Sequence, residues 1–331
     1  MEKLITFFNH KGGVGKTTQL YTIAWALSLK GKRVLMVDAD SQCNLSNQSL
    51  GEEGFEQHYI DFPKDNFKDG VAPAFEAKPR MIEAINCPKI KGSENLYLLP
   101  GSFGISENET QLSIAINFNL TFMTMTNLPG SFYDLIHKCA SKYSIDVVLI
   151  DLNPGLSAIN QTLLFSSDYF IIPCGVDYFS KQALISLSSV LLNWSNWSLK
   201  AKEYFKDSNY PLPEMTTKFM GYTVNNYRTK NQKPAKAVKN VIDELDNIVK
   251  NKLVPSLSVN ENALVQSNYR IAEIKDFNTL QQTSHTVNKP VFLLTATDIK
   301  SSGHVQSIQE WNIGELKKVF NEFADKILNL I

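Results

Sequence analysis

Eight consecutive residues, Lys11-Gly12-Gly13-Val14-Gly15-Lys16-Thr17-Thr18, combine the parts that phosphate recognition needs. Glycines let the backbone approach phosphate oxygens, because side chains would hold it away. Successive backbone N–H groups leading into a helix N-terminus add partial positive charge. Lys16 is placed to reach β- and γ-phosphates, and the Thr17 hydroxyl to meet Mg²⁺. Carboxylates close two apolar runs: Asp38, with Asp40 just beyond it, after residues 33–37, and Asp151 after 145–150. Singly, each could be a helix cap or a turn former. Aligned with a glycine loop at strand ends, they stand where open α/β sheets bind ligands.

These residues need a βαβ unit to hold them. The apolar run 4–8 supplies a first strand, and Leu20, Ile23, Ala24 and Leu27 fall on one helical face that Gly31 ends. Residues 33–38 supply a second strand, so the crossover is right-handed and the pair parallel. Further strands are predicted at 96–99, 145–150, 169–172, 219–224 and 291–294, and helices at 182–193, 237–249 and 314–330. Continuous apolar strands alternating with amphipathic helices predict an α/β fold, a doubly wound, mostly parallel sheet flanked by helices, in a single domain over 1–331. Residues 51–91 carry Pro63, Pro73, Pro79 and Pro88 without a clean period. They read as an elaborated connection with one short helix at 80–85.

Thirty-three basic side chains balance thirty-three acidic ones, so any nucleic-acid or membrane partner must be held by a local patch. Cys43, Cys87, Cys139 and Cys174 are scattered without a CxxC pair, which argues against a zinc ribbon or thioredoxin-type site and for a reducing compartment. The apolar run near Met1 is too short for a signal peptide, and no stretch reaches the length of a membrane span. A cytoplasmic protein is expected.

His10 stands where the general P-loop has its first glycine, and Lys11 precedes Gly12-Gly13. This is the deviant Walker A pattern, KGGxGK[ST]. On it the chain resembles the ParA/MinD superfamily of dimerising P-loop ATPases, and most of all ParA-type partition ATPases. Residues 37–45 resemble the family's switch I, with Ser41 in place of the usual proline, and 146–154 its Walker B and switch II, with Asn153-Pro154 in place of Pro-Pro. Weaker similarity runs through 95–101, 171–173, 221–226 and 289–292.

The resemblance implies ATP and Mg²⁺ as cofactors and gives the residues roles. Gly12, Gly13, Val14, Gly15, Lys16, Thr17 and Thr18 would bind the nucleotide. Thr17 would bind Mg²⁺ directly, with Asp38 and Asp151 acting through waters. Asp40 would orient the attacking water, and Lys11 would reach across a dimer to the partner's nucleotide, like an arginine finger. Asn225 would read adenine, with Asn226 left open as its alternative. Hydrolysis would be slow without a partner.

The implied cycle is an ATP-induced homodimer that binds DNA non-specifically and is released by an activating partner of ParB type, in plasmid or chromosome partition or cargo positioning. Arg228, Lys230, Lys233, Lys236 and Lys239, with no acidic residue among 227–239, are the candidate DNA segment. Because the loop starts within ten residues of Met1, a site-specific operator-binding extension is not expected. The alternatives are a MinD-like membrane-associated positioner or a switch acting on a protein cargo without DNA. The C-terminal segment 313–331 has helical apolar spacing, but Glu315, Glu322 and Asp325 offset Lys317, Lys318 and Lys326, which favours docking on the sheet over a membrane surface. An iron–sulfur scaffold lacks its paired cysteines, and a tyrosine kinase its C-terminal tyrosines. Trp194 and Trp197 read as core, and Cys43 as structural.

Overall fold

A computed structural model describes residues 2–76, 78–117, 125–227, 229–230, 233–234 and 236–331. Chain order begins with strand β1 (Lys3–Phe7), helix α1 (Lys16–Leu29), β2 (Val34–Ala39), α2 (Asn44–Leu50), α3 (Glu52–Asp61), α4 (Phe67–Phe75) and β3 (Leu96–Leu99). It continues through α5 (Glu107–Asn117), α6 (Leu128–Lys142), β4 (Val147–Leu152), α7 (Ala158–Phe165), β5 (Tyr169–Gly175), α8 (Tyr178–Tyr204) and β6 (Lys218–Tyr227). A short hairpin, β7 (Thr229–Lys230) and β8 (Lys233–Pro234), leads to α9 (Lys236–Ile248) and α10 (Val254–Ser258). The chain closes with β9 (Arg270–Lys275), α11 (Thr279–Val287), α12 (Ala296–Ile299) and α13 (Gly303–Leu330).

Seven strands form one sheet in the order β3-β2-β4-β1-β5-β6-β9, every neighbouring pair parallel. Strands of this kind are apolar on both sides because helices cover both faces. Leu35, Val37, Val148 and Ile150 pack under α4–α9. Val34, Met36, Val147 and Leu149 pack against α1 and α13. The C-terminal helix buries Ile313, Leu316, Phe320, Phe323 and Ile327, so its apolar stripe lies on the sheet. Trp194 packs against Phe8, and Trp197 Nε1 donates to the Ile116 carbonyl at 3.2 Å.

Three expectations are corrected. Residues 291–293 form a 3-10 turn rather than a strand, because Pro290 removes the N–H that a central strand would donate. Residues 51–91 hold two helices, α3 and α4. Pro73 is tolerated inside α4 because Phe67, Val71 and Ala74 are buried there. Residues 80–85 are not helical. Tyr210 Oη accepts from the Ile82 N–H at 3.0 Å and Lys138 Nζ donates to the Ile82 carbonyl at 2.8 Å, so distant side chains satisfy the backbone. Of the basic segment, Arg228 lies outside the described residues, Thr229–Lys230 and Lys233–Pro234 are hairpin backbone, and Lys236 and Lys239 are exposed on α9.

Candidate functional site

The glycine loop is pinned from behind. Asn9 is fully buried. Its Nδ2 donates to the Pro173 carbonyl at 2.8 Å, and its Oδ1 accepts from the Lys11 N–H at 2.9 Å. Asn225, at the end of β6, donates from Nδ2 to the Val14 carbonyl at 2.8 Å. Gly15 begins α1 with φ of 79°, and a Cβ there would lie 2.0 Å from Asn225 Nδ2. Both conformation and space therefore demand glycine. Asn226, by contrast, is exposed with φ of 57°. The loop's N–H groups and the start of α1 face a cleft of about 300 Å³ lined by Gly12, Gly15, Lys16, Thr17, Asp40 and His285.

Register brings the carboxylates together: Asp38 on β2 lies beside Asp151 on β4, and Phe7 on β1 lies on Asp151's other side. Asp38, Asp40, Asp151 and Lys16 are all buried. Burial pushes Asp151 up to about 8, with the Asp38 charge adding to it, and pushes Asp38 up to about 6 against hydrogen bonds from Ser46. Burial also lowers the Lys16 ammonium, against Asp151 and Asp40, and lowers His10, with the Lys16 charge adding. Four ionisable groups crowd a small buried space.

That crowding suits a hydrated Mg²⁺. Thr17 Oγ1 donates to Asp151 Oδ2 at 2.6 Å, which orients the hydroxyl and keeps its lone pairs for a cation. Asp151 Oδ1 is buried without a hydrogen-bond partner. No three His, Cys, Asp or Glu side chains among the described residues form a dedicated metal cage. Mg²⁺ does not need one, since it keeps waters and shares phosphate oxygens. When bound, it would neutralise charge on those oxygens.

Lys11 is held within its own chain. Its Nζ lies 2.5 Å from Asp177 Oδ2 and 3.0 Å from Ser180 Oγ, at the N-terminus of α8. Burial works against the Asp177 charge, but Lys11 and the Ser180 N–H outweigh it and hold the carboxyl low. Burial pushes the Cys43 thiol up to about 12, in keeping with a structural cysteine.

Several supports escape sequence reading. Asn9 and Asp177 are two. Asn160 is a third, since its Nδ2 donates to the Asn153 side chain at 2.9 Å and to the Gly155 carbonyl at 3.0 Å, bracing the turn that follows β4. Glu109 is a fourth. Its carboxylate accepts from the Ala158 and Ile159 N–H groups at 2.5 and 3.1 Å and caps α7. Asn9, Asp177 and Glu109 join segments far apart in the chain, and the asparagine type of Asn160 alone signals little.

The family model of the AAA domain matches residues 2–200. An uncharacterised protein of Methanocaldococcus jannaschii is 29% identical over 245 residues, 74% of this chain and 81% of that one. The sporulation initiation inhibitor protein Soj of Bacillus subtilis is 28% identical over 188 residues, 56% of this chain and 64% of Soj. Among solved structures, Cyanothece McdA in an ATP complex superposes with a TM-score of 0.66 at 16% identity, over 98% of this chain and 96% of that one. The pNOB8 ParA bound to nonspecific DNA gives 0.56 at 20% identity, over 99% and 98%. The chain belongs to this AAA-domain family and to the ParA/MinD superfamily of P-loop ATPases.

Proposed function

We propose that this ParA/MinD member is an Mg²⁺-dependent ATP switch that dimerises on ATP and binds DNA without sequence preference. The observation that carries the reading is the cluster of Lys16, Thr17, Asp38, Asp40 and Asp151 at the glycine-loop cleft. Lys16 would meet β- and γ-phosphates, and Thr17 the metal. Asp151 would orient Thr17, and Asp40, at the mouth of the cleft, would hold the attacking water. Asn225, whose Nδ2 donates to the Val14 carbonyl of the loop, would read adenine. Lys11 would leave Asp177 to meet the partner's phosphates, and this exchange of ion pairs would couple dimerisation to ATP.

The DNA reading draws on the basic residues 228–239 and on the DNA-bound ParA neighbour. A ParB-type activator and a role in partition or cargo positioning complete the cycle. No helix among the described residues is long and apolar enough to cross a membrane. The test is anisotropy of a labelled random-sequence duplex with ATP·Mg²⁺ against ADP at two salt concentrations. Binding only with ATP, weakened by salt, is expected. Equal binding with ADP, or none, would remove DNA from the cycle.

A further inference from the structure

Residues 81–88, between α4 and β3, form neither helix nor strand and are strapped to α6 by side chains. Lys138 Nζ donates to the Ile82 carbonyl at 2.8 Å. One turn on, Lys142 Nζ donates to the Ile85 carbonyl at 3.3 Å and to Asn86 Oδ1 at 3.2 Å. Just past the helix end, Tyr143 Oη accepts from the Cys87 N–H at 3.0 Å. Cys139 follows Lys138 and lies one turn before Tyr143, so these bonds bracket it. They bring two thiols together. Cys87 and Cys139 are buried in one apolar cluster, both are free, and the Cys87 S–H donates to the Cys139 sulfur. Cys43 and Cys174 are buried singly, facing the backbone carbonyls of Ser41 and Ile172.

The pair is polarised. The Cys87 S–H holds the Cys139 thiol below its usual range, helped by the Ile85 N–H and the Lys142 ammonium against burial and the Asp65 carboxylate. The same hydrogen bond, with burial, pushes Cys87 up. One sulfur is therefore the better nucleophile and its neighbour keeps a proton to give, which is the division that stepwise oxidation of two thiols uses. Cys174, by contrast, is pushed up by burial, as Cys43 is. Asn86 and Lys89, on either side of Cys87 in the strap, are exposed, so a small oxidant has little chain to pass.

We propose that Cys87 and Cys139 form a reversible oxidation site for hydroperoxides, closing to a disulfide that ties the strap to α6. The Cys139 thiolate attacks a peroxide oxygen and the O–O bond breaks. With hydrogen peroxide, the hydroxide that leaves takes up the Cys139 proton and becomes water. The Cys87 sulfur then attacks the Cys139 sulfenic acid, the S–S bond forms, the S–O bond breaks, and the hydroxyl departs with the Cys87 proton as a second water. Two electrons pass from the thiols to the peroxide, and a dithiol reductant returns them. Nothing in this chemistry depends on the nucleotide cleft.

The full chain is treated with hydrogen peroxide, alkylated in denaturant and digested with trypsin. A linked pair of peptides, residues 81–89 and 139–142, should appear and vanish with dithiothreitol, while Cys43 and Cys174 are recovered alkylated. Cys87→Ser should stop at a Cys139 sulfenic acid that dimedone traps. Lys142→Met should slow linkage several-fold, since it removes the cation that favours the thiolate. Thermal melts confirm that each variant is folded, and the wild-type peptide map decides without them. Oxidation of Cys43 or Cys174 as fast as the pair, or linkage that forms only in urea, overturns the proposal. So does oxidation of Cys87 or Cys139 to sulfinic acid with no linked peptide.

Discussion

Lys16, Asp38, Asp40 and Asp151 are buried around one cleft, each charge shaped by the next. Glu52, Glu53, Glu56 and Asp61 on α3 lie in water, each by itself. The two regions are joined by the Ser46 and Gly101 hydrogen bonds. Their difference is one of dielectric. Buried charges interact strongly and carry large penalties until a ligand arrives, while exposed ones are screened and cost little until a partner covers them. The loop cleft is therefore sensitive to any single change, and the α3 face much less so.

The largest effect is expected at Lys16. Lys16→Ala removes the buried cation that faces the phosphates, and ATP affinity should fall by about 3 kcal/mol or more, over ~100-fold. Calorimetric titration checks it. Wild-type affinity in this variant would remove the cleft from the comparison.

Asp151 gives the next effect, through pH. Its carboxyl holds its proton up to about 8 when folded and only to about 4 when unfolded, so the native state binds more protons across that window. Stability of the metal-free protein should fall as pH rises from ~4 to ~8, with Asp38 adding to the fall up to about 6. Asp151→Asn keeps an acceptor for Thr17 and cannot ionise. In chelator it should be more stable than wild type at pH 8 by about 2 kcal/mol or more. With ATP·Mg²⁺ the order should reverse. A wild type whose melting is flat with pH would show that the carboxylates do not compete.

How much of this was legible in the sequence follows the same division. The cleft announced itself because a phosphate loop restricts residue types over eight adjacent positions, and because Asp38 and Asp151 close apolar runs that alternate with helical patterns around it. Its supports were silent. Asn9 reaches Pro173, Glu109 reaches α7, and Lys11 reaches Asp177, contacts that the sheet order creates and no local spacing records. The region after Gly51 was opaque for another reason. Pro63 and Pro73 read as breakers, although the first follows α3 and the second sits in a helix held by its buried face. The 291–294 run showed the converse error, since a short apolar stretch has no period with which to separate a strand from a turn.

Asp177 tests the boundary of the cleft, where Lys11 is only partly buried. Asp177→Asn retains an N-cap for α8 and removes the charge that holds Lys11. If the ion pair competes with a second copy, ATP-induced dimerisation should tighten a few-fold, on the scale of a partly exposed pair. Lys11→Ala should bind ATP and not dimerise. Sedimentation velocity with ATP measures both. Unchanged dimerisation in both variants would confine Lys11 to its own chain.

The smallest effect tests the joint between the regions. Tyr59→Phe keeps the ring on α3 and removes only the bond to the Gly101 carbonyl. One hydrogen bond at a half-buried site is worth about 1 kcal/mol, so melting should drop by roughly 2 °C. The carbonyl can then take water, which caps the loss. Ser46→Ala, two links closer to Asp38, also strips a donor from a buried carboxylate and should cost more, by ~1–3 kcal/mol. That ordering, small at the face and larger toward Asp38, is what a chain running from screened to buried groups requires. Equal losses at the two positions, read by the same thermal melts, would mean that Tyr59 is as tightly held as the cleft itself, and the contrast between the regions would end at Gly101.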